Sequence, residues 1–112
     1  MHGHYHWEAA MYDMKNLTAL KDLATHAPEA TQAFWDFDKA AWADGAIPKK
    51  YKELMAIAVA LTIQCPYCIE LHTNRAREAG ATDPEIAETV LAAAALRAGG
   101  AVTHGTHAMK AR

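Results

Sequence analysis

A chain of 112 residues and 12.2 kDa fits one domain, and its 52% apolar residues are enough for a core, which argues against disorder. A domain this small buries a limited share of its surface, so association between subunits is expected. A net charge of -2 and a pI near 6.4 give no electrostatic case for nucleic acid or an anionic membrane as partner.

Serine is absent, which excludes every serine-nucleophile hydrolase, and two cysteines cannot build a secreted disulfide scaffold. No apolar run reaches the roughly 18–20 residues of a membrane span. The opening MHGHYHWEAA lacks the basic and apolar regions of a signal peptide. These features give the expectation of a cytoplasmic protein. Alanine is the commonest residue, Val59, Val90 and Val102 are the only valines, and no stretch alternates as a half-buried strand does, so the chain reads as all-α.

Residues 1–15 read as an N-terminal arm, with His2, His4 and His6 at alternate positions followed by Trp7 and Tyr12. Residues 16–112 read as one domain without repeat or linker. Asn16 to His26 is a short helix with Leu17, Leu20 and Leu23 three apart, and Asn16 is its candidate N-cap. Pro28 opens a helix running to about Asp44 and stopped by Gly45. Its aromatics, Phe34, Trp35, Phe37 and Trp42, are simplest as core and interface residues.

Pro48 opens the next helix, whose stretch from Leu54 to Ile63 is apolar on every side. A helix apolar all round is buried all round, and this chain has little material to wrap one, so an oligomer is expected. Pro66 interrupts the pattern near Gln64. A helix from about Cys65 to Ala79 follows, closed by Gly80. Thr82 or Asp83 caps the last helix, with Pro84 in its first turn and Glu85 and Glu88 near its positive end. That helix runs to about Ala98, Gly99-Gly100 marks a break or a close helix contact, and Ala101 to Arg112 resumes as helix.

Chemistry concentrates in Cys65-Pro66-Tyr67-Cys68 and His72. Two cysteines three apart on one turn close a disulfide with little backbone movement. Cys68 and His72 are four apart and therefore neighbours on one helix face. The positive end of a helix stabilises a thiolate. A two-cysteine motif at a helix start is thus a redox signature, set against the plainer reading of two small buried apolar residues. Glu53 falls in the stripe of Ala56, Ile57, Ala60 and Gln64. If the chain folds back at Pro66, Glu53 reaches His72, and a relay forms in which carboxylate orients imidazole and imidazole activates thiol. Taken alone, Glu53 is a first-turn residue in solvent.

Glu53, eleven residues, Cys65-Pro66-Tyr67-Cys68, three residues and His72 together resemble the signature of the alkylhydroperoxidase D-like members of the carboxymuconolactone decarboxylase family. The resemblance runs from about Leu17 to His107 and includes Pro28-Glu29-Ala30, Asp44-Gly45-Ala46, Lys52-Glu53-Leu54, Arg77-Glu78-Ala79-Gly80 and Gly99-Gly100-Ala101. It implies an alkylhydroperoxidase D-like helical bundle assembled as a trimer or a hexamer. It also implies thiol-dependent peroxidase or disulfide reductase activity on a hydroperoxide, with a dithiol or thiol-protein reductant. By that pattern Cys68 attacks the peroxide, Cys65 resolves its sulfenic acid, and His72 and Glu53 form the proton relay; no cofactor and no resident metal are implied. Tyr67 stands where the family pattern has histidine. Its phenol, with a pKa of about 10, is a poor base at neutral pH, so the relay through His72 gains weight.

Two rival readings use the same residues. Thiolate, imidazole and carboxylate are all zinc ligands, although three from one helix face close poorly into a tetrahedron. A non-catalytic oligomer sensing oxidants through the same disulfide is the other. His2, His4 and His6 belong to a mobile arm or form a transition-metal site. His104 and His107 are exposed or capping residues, or approach the site from a neighbouring helix. Lys49, Lys50 and Lys52 read as ordinary solvated charges.

Overall fold

The structure is a computed structural model that describes residues 12–112; His2, His4, His6 and Trp7 lie outside the described residues. Among the described residues there are helices and no strands. A 3₁₀ helix, Met14–Ala19, leads into α1, Leu20–His26, and then come α2, Pro28–Trp42, α3, Lys49–Ile63, α4, Pro66–Glu78, and α5, Asp83–Lys110. The contacts divide the chain into two compact units, one ending at Asp44 and one running from Gly45 to Arg112.

Helical structure in the first unit is described from Met14, two residues before the expected start at Asn16. The side chain of Asp13, not of Asn16, caps the 3₁₀ helix by accepting the Lys15 N–H at 2.8 Å. In α2 Phe34 and Trp35 meet edge to face at 5.2 Å, and the Trp42 indole donates to Asp38 one turn back at 2.9 Å. None of this unit's helices has a buried residue. The aromatics expected in a core are therefore not core residues of this chain: Phe34 and Phe37 are exposed, and Trp42 is half-buried.

The second unit packs α3 against both α4 and α5. Its core is Leu54, Ile57, Ala76 and Ala81, flanked by Leu61 and Ile86. Each end in it has a local cause. Gln64 caps α3 in the left-handed region at φ 57°, a conformation uncommon for a residue with a side chain, and the chain reverses there. Pro66 then begins α4, where its missing N–H removes no helical bond. Gly80, at φ 95°, ends α4 in a paired arrangement. Its N–H donates to the Arg77 carbonyl at 3.0 Å and that of Ala81 to the Ala76 carbonyl at 2.9 Å, which brings two core alanines together. At α5, Thr82 and Glu85 cap reciprocally: Thr82 Oγ1 accepts the Glu85 N–H at 3.3 Å, and Glu85 Oε1 accepts the Thr82 N–H at 2.9 Å.

Two expectations are corrected. The helix apolar on every side is buried only on the side of Leu54, Ala56, Ile57 and Ala60; Met55, Val59 and Ile63 are 52%, 57% and 65% exposed. Within this unit α4 and α5 are the helices packed against it, and they cover one side. Nor is there a break at Gly99-Gly100: α5 is continuous for 28 residues, about 42 Å at 1.5 Å per residue. By length and composition that single helix is long and apolar enough to cross a membrane, contrary to the reading that split it at the glycines.

A Cβ placed on Gly100 meets nothing within 4 Å. Gly100→Ala should therefore stabilise the fold by about 0.5–1 kcal/mol, since a mid-helix glycine costs that much in backbone entropy. The check is urea unfolding followed by helical circular dichroism; a destabilised variant would show that another surface closes on this position.

Candidate functional site

Cys65 is the N-cap residue of α4, in extended conformation, and its Sγ accepts the Cys68 N–H at 3.3 Å. A sulfur thus performs the capping that an oxygen of serine or aspartate usually performs. Cys65 and Cys68 are joined as a disulfide with Cα atoms 5.3 Å apart, inside the range such bridges occupy, and both are half-buried. In that form neither sulfur is a thiolate able to bind metal. Among the described residues there is no group of three or more metal-ligating side chains.

One turn beyond Cys68, His72 points into the unit and is 9% exposed. Nineteen residues earlier in the chain, Glu53 is 0% exposed. The reversal at Gln64 brings them together: His72 Nδ1 lies 2.6 Å from Glu53 Oε1. The carboxylate accepts, so Nδ1 carries the proton, and in the neutral ring the basic lone pair is on Nε2. Glu53 Oε2 accepts from Lys49 Nζ at 2.8 Å, a contact absent from the sequence reading. Burial pushes the Glu53 carboxyl up, but the hydrogen bonds and charges of Lys49 and His72 outweigh it and hold the group below its ordinary value. Glu53 is therefore an anion inside the protein, with each oxygen assigned to a different helix position.

Among the other candidates, Tyr67, between the cysteines, is half-buried. His104 and His107 lie near the C-terminal end of α5 and face each other, ring centroids 5.6 Å apart. Lys50 is tied to Glu85 of α5 at 2.9 Å. Lys49 is the residue that sequence reasoning missed. Its signal was present: it stands four residues before Glu53, the helical spacing at which side chains meet.

Comparison with known proteins bears on the whole of this arrangement. Residues 28–111 match the model of the carboxymuconolactone decarboxylase family, which spans both compact units. An uncharacterised protein of the cox locus of Paracoccus denitrificans is 41% identical over 95 residues, 85% of this chain and 86% of that one. An alkyl hydroperoxide reductase of Mycobacterium tuberculosis is 42% identical over 55 residues, 49% of this chain but 15% of that longer protein. Among solved structures, an apo carboxymuconolactone decarboxylase family protein from Legionella pneumophila superposes with a TM-score of 0.71 at 34% identity, covering 80% of each chain. A protein from Methanobacterium thermoautotrophicum gives 0.73 at 30% identity, covering 79% of this chain and 99% of the other.

The buried ion pair makes stability depend on pH. Glu53→Gln should cost about 1–3 kcal/mol at pH 7, as expected for a lost hydrogen bond to a charged group. The folded-state value of Glu53 lies below the ordinary 4.5, so its contribution is complete above that value and disappears as pH falls through the folded value. Urea unfolding of both proteins at pH 7 and near pH 3 should show the gap closing at the lower pH.

Proposed function

The chain belongs to the carboxymuconolactone decarboxylase family, and on that footing we propose that it is a thiol-dependent peroxidase that reduces hydroperoxides through Cys68 and Cys65. The observation that carries the reading is the buried Glu53–His72 pair one helical turn from a Cys65–Cys68 disulfide. The reductase of Mycobacterium tuberculosis supports the reaction class through the part of it that this chain matches.

In the reduced protein His72 takes the Cys68 proton, and the positive end of α4 stabilises the thiolate. The thiolate attacks the terminal peroxide oxygen and the O–O bond breaks. The sulfur is oxidised to sulfenic acid, and the alkoxide leaves as alcohol with the proton held by His72. The Cys65 thiol then attacks the Cys68 sulfur, forming the disulfide and releasing water. An external dithiol or thiol protein returns two electrons and two protons, restoring both thiols. Glu53 orients His72 and stabilises its imidazolium.

Cys68→Ser should abolish peroxide consumption. A positioned base contributes about 10²–10⁴ in rate, so His72→Ala and Glu53→Ala should each lose a large factor within that range. Because the two act as one unit, the double variant should lose little more than the worse single one. Peroxide consumption with a dithiol reductant across pH 5–9 reads all of these. Additive losses, or normal turnover in His72→Ala, would remove the relay.

The same reading includes a homo-oligomer, a trimer or a hexamer. Its support is the number of large apolar side chains exposed in the single chain, among them Met55, Val59 and Ile63 along one side of α3 and Leu91, Leu96 and Val102 on α5. Light scattering at micromolar concentration should give a mass of three or six chains, and Val59→Glu should lower it. A monomeric wild type would refute the assembly.

A further inference from the structure

The first turn of α3 carries Lys49, Lys50 and Lys52 and no acidic residue, and Pro48 before it supplies no side-chain cap. Cations at that end oppose the helix dipole, and a lysine four residues before a glutamate is the weaker order of such a pair. Local helix stability therefore disfavours these lysines, and a conflict of that kind between local and global demands points to a task elsewhere. Lys50 has a structural one, tying α3 to Glu85 of α5 at 2.9 Å. Lys49 reaches the buried carboxylate instead, its side chain 42% exposed and its Nζ 2.8 Å from Glu53 Oε2.

The charged and titratable groups facing Glu53 are Lys49 on its own helix and His72 on α4; from α5, the carboxylate that meets α3, Glu85, is taken up by Lys50. With one partner only, burial favours passing the proton from the imidazolium to the carboxylate across their hydrogen bond, which leaves both neutral. With a second cation on its other oxygen, the carboxylate stays anionic while the imidazole is protonated. The trio then sums to one positive charge, where the pair alone sums to none. That added positive charge stabilises a thiolate one turn away more than the neutral pair does.

We propose that Lys49 is a positioning residue that sets the reactivity of the Cys68 thiol, by holding the Glu53 carboxylate ionised and turned toward His72. The inference rests on the roles given above to Cys68 and His72. A merely structural Lys49–Glu53 bridge changes stability and leaves the pH profile of the thiol where it was.

The test is the rate of iodoacetamide alkylation of Cys68, located by peptide mass, in the reduced full-length protein from pH 5 to 9. Lys49→Met should move the midpoint upward by about half to one pH unit, an about 3–10-fold loss of rate below the midpoint. Lys49→Gln, which keeps a donor for Oε2 but no charge, should do the same and serves if Lys49→Met does not fold. Lys49→Arg should restore the wild-type profile, and Lys50→Met should leave it unchanged. Neutral variants at Lys49 with a wild-type midpoint, or a Lys50→Met shift of equal size, would overturn the proposal. Alkylation uses no peroxide. A wild type inactive toward hydroperoxides would therefore defeat the peroxidase reading alone, and a working peroxidase with an unshifted midpoint would defeat this inference alone.

Discussion

A carboxylate with no exposure to water, on a helix face shared with Leu54, Ala56, Ile57 and Ala60, is compensated inside the protein or not at all. Much of the second unit is arranged around that demand. His72 meets Glu53 only because α4 returns along α3, and the return depends on a left-handed residue at Gln64 followed by a proline that starts a helix at once. Ala76, one turn past His72, has no exposure and packs with Leu54 and Ile57, so the core that seals the ion pair also fixes the helix bearing its partner. The geometry that buries the charge is therefore the geometry that aims the imidazole.

The parts of this arrangement legible in the sequence are those written in short-range chemistry. Pro48, Pro66 and Pro84 mark helix starts because a missing N–H is harmless there, and Gly80 marks an end because the turn needs a positive φ. Thr82 and Glu85 announce a reciprocal cap by their spacing alone. The Glu53–His72 meeting was legible in a conditional form. The helical stripe placed Glu53 among core positions, and Pro66 supplied the reversal, but whether the two helices came within hydrogen-bonding distance depended on packing that no spacing encodes.

Other parts were hidden for physical reasons. Gly99-Gly100 reads as a break because glycine weakens a helix, yet the cost is about 1 kcal/mol per residue, and good helix formers on both sides carry α5 through it. Lys49 reads as solvated because lysine at a helix start nearly always is; its stem, however, is long enough to lay an ammonium against a carboxylate whose other oxygen faces the interior. The apolar circumference of α3 does not signal complete burial in the single chain, where Met55, Val59 and Ile63 are exposed. Periodicity reports how apolar each side of a helix is, not how many neighbouring helices are at hand to cover it.

Under the proposed peroxidase reading, placing the cysteine pair at the start of α4 serves two ends of the same chemistry. Free N–H groups and the helix dipole concentrate positive potential at that end, which favours a thiolate over a thiol. In the disulfide the same N–H of Cys68 is accepted by the sulfur of Cys65, so the helix start remains capped when both sulfurs have lost their charge. Oxidation therefore need not unravel the turn that carries His72 four residues on. A pair buried mid-helix would lack the field that activates it, and a pair on a loose loop would lack a fixed distance to the base. A helix N-terminus whose first turn is clamped by its own core, with a compensated buried carboxylate behind the imidazole, meets both requirements.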